Sequence, residues 1–225
     1  KTTIIHFILH GAIVYILKNK NMSIKTEVDN WIADRCNERL IANYPLNENS
    51  WVIDLGGYFG AATQKVVSKY NCNVLVIEPV EDFYNIIIEK FKNNEKVIVE
   101  NNGISTKKKE VILDYNYDAT SSYTDTSHIK INVKCYPIEY YLKKYNINKI
   151  DLMMVNIEGE EYPLFEKWIK TNFLKKVNYL EIQFHPWIDN SVERKDKIEE
   201  GFVKLGFENL WDYQFAFTSW KNKNY

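Results

Sequence analysis

Residues 51–60, Trp-Val-Ile-Asp-Leu-Gly-Gly-Tyr-Phe-Gly, constrain the fold of this chain more than any other stretch. A β-branched run, Val52-Ile53, ends at Asp54, a glycine turn follows, and helix-forming residues begin at Ala61. This is a strand, a turn of bare backbone and a helix N-terminus, where N–H groups point at a polar or anionic ligand. A second apolar run, Val74-Leu75-Val76-Ile77, ends at Glu78. An acid at the tip of the neighbouring strand is placed to accept hydrogen bonds from a ribose. The two tips together describe a pocket for a nucleoside cofactor.

The turn does not fit a dinucleotide. A G-x-G-x-x-G loop lets backbone close on a pyrophosphate. Here Tyr58 or Phe59 falls at the second glycine, whichever glycine is counted first. The spacing fits D-x-G-x-x-x-G through Asp54, Gly56 and Gly60. S-adenosylmethionine carries a ribose, an adenine and an amino-acid end but no phosphate, and Asp54 suits its ammonium group. A nicotinamide-dependent oxidoreductase is the weaker alternative on the same sheet.

Beyond the turn, apolar strands alternate with helical patterns. Strands are expected at 51–55, 73–78, 96–100, 105–115, 130–134, 150–157 and 177–184, with a last pair near 207–218. Helices are expected at 26–43, 60–70, 81–93, 137–146, 161–170 and 191–204, and a polar loop at 118–127. This order predicts an α/β, doubly wound, mostly parallel sheet whose ligands sit at the carboxyl edge. Residues 1–45 are expected to form an N-terminal helical segment and 46–225 the catalytic domain. The stripe Ile4, Ile5, Ile8, Leu9, Ala12, Ile13, Ile16 and Leu17 reads as one helix, packed on the core or on a second copy in a homo-oligomer. It is too short for a bilayer span of about 20 residues. No small-residue cleavage site precedes Lys18, so it does not read as a signal peptide.

Two further strand tips carry polar residues. Asn156 and Glu158 end the strand at 150–157; Glu158 is a candidate base, or an acid favouring the positive end of the following helix. Glu181, Gln183 and His185 end the strand at 177–184, and His185 before Pro186 is a candidate general base. The aromatics at 211, 213, 215 and 217 alternate as in a strand and read as core. With 30 acidic and 29 basic residues the net charge is −1, which gives no basic field for nucleic acid. Cys36, Cys72 and Cys135 form no paired motif, so neither a zinc site nor a disulfide framework is expected and a reducing, cytoplasmic setting fits.

Taken together, residues 50–190 resemble the FkbM-type S-adenosylmethionine-dependent methyltransferases. The resemblance rests on Val52–Gly60, Val76-Ile-Glu-Pro79, Asn101-Asn-Gly-Ile-Ser105, Ile150-Asp-Leu152, Asn156–Tyr162 and Glu181–His185. It implies the seven-stranded class I methyltransferase fold and O-methylation of a hydroxyl on a glycan or small-molecule acceptor. It also implies that Asp54, Gly56 and Gly60, with Gly57 and Tyr58 of the same turn, hold the methionine end. Glu78 would take the ribose, Gly103 and Ile104 would flank the adenine, and Asn156 would complete the set. Glu158 and His185 are the expected catalytic pair. The family pattern has Lys-x-Asp where this chain has Met154-Val155-Asn156. That departure leaves a non-catalytic methyltransferase-like interaction module as a rival reading.

Overall fold

The computed structural model describes residues 4–9, 12–17, 29–115 and 129–225. Within them the elements run β1 (Ile4–Leu9), β2 (Ala12–Leu17), α1 (Cys36–Arg39), β3 (Trp51–Leu55), α2 (Ala61–Tyr70), β4 (Asn73–Ile77), α3 (Glu81–Phe91) and β5 (Val97–Glu100). Then come β6 (Gly103–Ile104), β7 (Lys109–Tyr115), β8 (Ile129–Tyr136), α4 (Ile138–Lys144), β9 (Ile150–Val155) and α5 (Glu161–Lys170). A 3₁₀ turn (Phe173–Lys176), β10 (Val177–Ile182), α6 (Ser191–Lys204), β11 (Phe207–Asp212) and β12 (Thr218–Asn222) complete the order.

Seven strands form one sheet in the order β11-β12-β10-β9-β3-β4-β5. β5, β4, β3, β9 and β10 are parallel, and β12 runs antiparallel to both β10 and β11. This is the class I methyltransferase arrangement, with the chain reversing direction across the sheet at the β3–β9 neighbour pair. Side chains alternate faces along each strand. Ile53, Leu55, Met153, Val155, Leu180 and Ile182 therefore share one face and pack with Leu164, Phe165 and Trp168 of α5 and Phe202 of α6. Val52, Val76, Leu152, Met154 and Tyr179 share the other, under Val66 and Val67 of α2 and Ile87 and Phe91 of α3. Each such aliphatic residue withdrawn from water stabilises the fold by about 1.5–3 kcal/mol. The near-continuous apolar strands are what two covered faces require.

Three expectations need correction. The apolar run at the N-terminus is an antiparallel pair of strands, with Ile4 opposite Leu17 and Leu9 opposite Ala12, rather than a helix. Ile4, Ile5, Ile8, Ile13, Val14 and Ile16 are β-branched, which costs side-chain freedom in a helix and suits a strand. The expected oligomer contact through an N-terminal helix loses its helix. The long helix at 26–43 is instead a helical turn at 29–33 and the short α1, separated by Arg35 at φ 52, and Ala42 at φ 57 ends any continuation. The last strand pair breaks at 213–217: Asp212 accepts the Gln214 N–H through its side chain, and Tyr213 and Phe217 close a turn. Phe215, Phe217 and Trp220 are nonetheless buried, and Trp31 stacks on Phe217 at 5.2 Å. The expected loop at 118–127 lies outside the described residues. No helix among the described residues is long and apolar enough to cross a membrane.

Candidate active site

The glycine turn laces three strand tips together. Gly56 N–H donates to Ile77 O at 3.0 Å, and Asn156 N–H donates to Leu55 O at 3.0 Å. Gly56 sits at φ +87, and a Cβ there would lie 2.0 Å from Asn156 O. Only glycine allows both the angle and the approach. Tyr58 is also left-handed, at φ 48, and its N–H donates to Glu78 Oε2 at 2.9 Å. The other Glu78 oxygen accepts the Val80 N–H at 2.8 Å. Burial pushes the Glu78 carboxyl up to about 7, against the pull of these two N–H donors. Gly60 opens α2, its N–H closing on Gly57 O at 2.7 Å.

A cavity of about 400 Å³ opens over the carboxyl ends of β3, β9 and β10. Of the residues expected from sequence, Asp54, Gly56, Gly57, Tyr58 and Asn156 line it. Phe59, Lys65, Met154, Glu181 and Phe217 join them. Gly60 and Glu78 stand behind the turn. Gly103 and Ile104 lie in a separate three-stranded sheet, paired with Cys135 and Tyr136, where Gly103 leaves room for the Cys135 sulfur. The Tyr141 hydroxyl donates to Gly103 O at 3.0 Å.

The cavity floor is a single row across the sheet. Asp54 pairs in register with Met154, Met154 with Glu181, and Glu181 with Ser219. Asp54 is buried and accepts the Thr63 hydroxyl at 2.5 Å; burial pushes its carboxyl up to about 7. Glu181 is also buried and accepts the Ala42 N–H at 2.8 Å; burial again raises it to about 7. Lys65 reaches from α2, and its ammonium donates to Asn37 O at 2.5 Å and Glu38 O at 3.2 Å. Burial lowers the Lys65 pKa. Asn156 Oδ1 is buried without a hydrogen-bond partner among the described residues. The alternation of the strand at 177–184 already pointed to Glu181. Phe217 read as core in the aromatic alternation and Lys65 carried no sequence signal, because their place depends on how the 213–217 turn and α2 cross the sheet.

Glu158 and His185 meet, but outside the cavity lining. His185 is fully buried, with Nδ1 2.8 Å from Glu161 Oε1 and Nε2 3.5 Å from Glu158 Oε1. Its N–H donates to Glu161 Oε1 at 2.9 Å, and Gly159 N–H donates to Glu161 Oε2 at 2.8 Å. The Tyr162 hydroxyl donates to His185 O at 2.9 Å. Burial alone would lower the imidazole pKa, but Glu161 and Glu158 outweigh it and push it up to about 10. At neutral pH the ring is therefore a cation joining two loops, which differs from the free general base expected of it. Glu161 is an acid of the first turn of α5, and only the return of the β10 loop brings it under His185. Glu158 holds a left-handed backbone at φ 55 just before Gly159 at φ 112.

Comparison with known proteins gives the chain a family. The sequence pattern described as "Methyltransferase FkbM domain" matches residues 54–212, and the chain belongs to that family of methyltransferases. Its cofactor is S-adenosylmethionine, which the glycine turn, the two acids and the unpartnered Asn156 oxygen beside the cavity fit. Phosphoethanolamine N-methyltransferase of Plasmodium falciparum (isolate 3D7) is 29% identical over 102 residues, 44% of this chain and 38% of that protein. Ribosomal RNA small subunit methyltransferase A of Prochlorococcus marinus (strain MIT 9301) is 26% identical over 117 residues, 48% of this chain and 40% of that protein. The chain thus spans about two fifths of the length of these curated relatives. A putative rRNA-methylase structure from Clostridium thermocellum superimposes with a TM-score of 0.48 at 12% identity, over 91% of this chain and 97% of that one.

Proposed function

We propose that this FkbM-family methyltransferase transfers a methyl group to a hydroxyl oxygen of a glycan or small-molecule acceptor. The observation that carries the reading is the cavity of about 400 Å³ beside the glycine turn, walled by Phe59, Phe217 and Ile41. Its size favours a compact acceptor group, and a net charge of −1 offers no field for a polynucleotide. S-adenosylmethionine supplies an electrophilic methyl on its sulfonium. The chain's task is mainly to align donor and acceptor. Asp54 takes the ammonium of the methionine end, beside Gly56, Gly57, Tyr58 and Gly60. Glu78 keeps lone pairs for ribose hydroxyls beyond the two N–H donors it already accepts. Gly103 and Ile104 flank the adenine, and Asn156 Oδ1 accepts from the bound groups. Glu158, two residues past Asn156, takes the acceptor's hydroxyl proton, and the charged His185 holds it in place.

Calorimetric titration with S-adenosylhomocysteine, with NAD in parallel, tests the pocket. Binding of the first alone is expected, and binding of NAD alone overturns the reading. Transfer from labelled S-adenosylmethionine to hydroxylated acceptors then tests the chemistry. A product methylated on nitrogen, or on ribosomal RNA, overturns the O-methyl assignment.

A further inference from the structure

We infer that Glu181 reads a protonated amine on the methyl acceptor, so that the substrate class is a hydroxylated compound carrying a cationic nitrogen. This rests on the cavity being the site of methyl transfer, and it names what enters beside the cofactor.

The floor of the cavity is a row of Asp54, Met154 and Glu181, contributed by three adjacent parallel strands. Neighbouring strands lie about 4.8 Å apart, so the backbones that carry the two acids stand roughly 10 Å from one another, with Met154 between them. Asp54 lies directly before the glycine turn and is matched to the cofactor's amino group. Glu181 lies two strands away, beside Phe217 and towards Ser219, and is left for a second ligand.

The local chemistry then selects a donor. No lysine, arginine or histidine among the described residues forms an ion pair with Asp54 or Glu181, and the apolar Met154 separates them. Lys65 is the cavity's own cation and attracts Glu181, but its ammonium donates to the Asn37 and Glu38 carbonyls and forms no ion pair with that carboxylate. Asn156 adds a further buried acceptor without a partner. A buried charge is retained at low cost only when it is paired. Burial lifts Glu181 to about 7 against the pull of the Ala42 N–H, the Tyr44 hydroxyl and Lys65, and a cation bound beside it would favour its charged form. Phe217 lines the same cavity, and an aromatic ring in the lining suits an organic ammonium better than a bare metal ion.

The test uses the full chain saturated with S-adenosylhomocysteine at pH 8, titrated with three linear polyols: glucamine, which ends in a primary amine, sorbitol, which lacks it, and N-acetylglucamine, which masks it. Glucamine is expected to bind at least about tenfold more tightly than the other two. Glu181→Gln, which keeps an acceptor for the Ala42 N–H, is expected to erase that preference. This variant should bind S-adenosylhomocysteine as the parent does, with a thermal melt confirming that it is folded. Equal binding of glucamine and sorbitol overturns the inference, as does a preference that survives Glu181→Gln. A tenfold loss of S-adenosylhomocysteine affinity in Glu181→Gln would give this carboxylate to the cofactor and also overturn it. If the parent does not bind S-adenosylhomocysteine, the methyltransfer reading fails separately; the polyol titration of the chain alone still decides whether Glu181 prefers an amine.

Discussion

The carboxyl edge of the sheet holds two groups of acids, and they are built in opposite ways. Glu158 and Glu161 are joined by the imidazole of His185, which burial alone would neutralise and the two carboxylates keep charged. Asp54 and Glu181 stand across a methionine with no ion pair to either among the described residues, Lys65 acting on Glu181 without pairing with it, and burial lifts each to about 7. The first arrangement pairs its charges within the fold and joins the loops leaving β9 and β10. The second faces the cavity without an ion pair among the described residues. A carboxylate that the fold pairs with a cation is held in place, whereas one without such a pair is open to a ligand's cation.

The harshest way to break the comparison is to disturb both regions at once. Gly56→Val drives a Cβ into the Asn156 carbonyl and forces a branched residue to φ +87. The expected loss is about 3–5 kcal/mol from overpacking and left-handed strain, with cofactor binding abolished, read by chemical denaturation and calorimetry. Retained binding of S-adenosylhomocysteine would remove the turn from the site.

His185→Ala tests the paired region alone. It strands Glu158 and Glu161 and should cost about 3–5 kcal/mol, a fall in Tm of roughly 10 °C by scanning calorimetry. A loss under about 1 kcal/mol would mean that the two acids do not depend on the ring. The cavity floor should respond with the opposite sign. Glu181→Gln removes an unpaired buried charge and should stabilise the ligand-free chain at pH 8 by about 2 kcal/mol. In the fold Glu181 keeps its proton up to about 7, while the unfolded chain releases it at the usual carboxylate range. Its penalty therefore grows as pH rises from about 4 to about 7, so the gain in the variant should shrink as pH is lowered through that window. Destabilisation at pH 8 would put Glu181 with the paired acids.

The pH dependence of the parent sharpens the contrast from the other side. His185 is raised in the fold, so its contribution is fully present below about 6.5 and is lost as pH rises through about 10. Subtracting the stability curve of His185→Ala from that of the parent should expose this fall between pH 7 and 10. A flat difference would mean that the ring is neutral. The smallest effect is expected for Thr63→Val, which removes the hydrogen bond to Asp54 and should cost about 1 kcal/mol while raising the Asp54 pKa further, read by carboxyl NMR titration.

Most of the sheet was legible because its order lies in local pattern. The runs at Val52-Ile53 and Val74–Ile77, the glycine turn and the helix at 161–170 announce themselves in contiguous residues, and the structure places those elements there. The N-terminal stripe misled because helical spacing and strand alternation coincide over so few residues, and β-branching decided for strands. The tail misled because Asp212 turns the chain where the aromatic alternation continued. At the site, Asp54, Glu78 and Asn156 could be named from strand tips alone. Lys65 and the partnership of Glu161 with His185 could not, because they join residues 24 or more positions apart through crossings that no local pattern encodes.

The sequence by itself determined the parallel sheet, the glycine turn and the presence of acids at the strand tips, since these follow from side-chain period and backbone sterics within a few residues. Only the tertiary structure decided which acids were neutralised. Strand register set Met154 between Asp54 and Glu181, and the return of the β10 loop carried His185 to Glu158 and Glu161. The charge state of a buried group depends on what lies within a few ångströms of it, and in a folded chain those neighbours are distant in sequence.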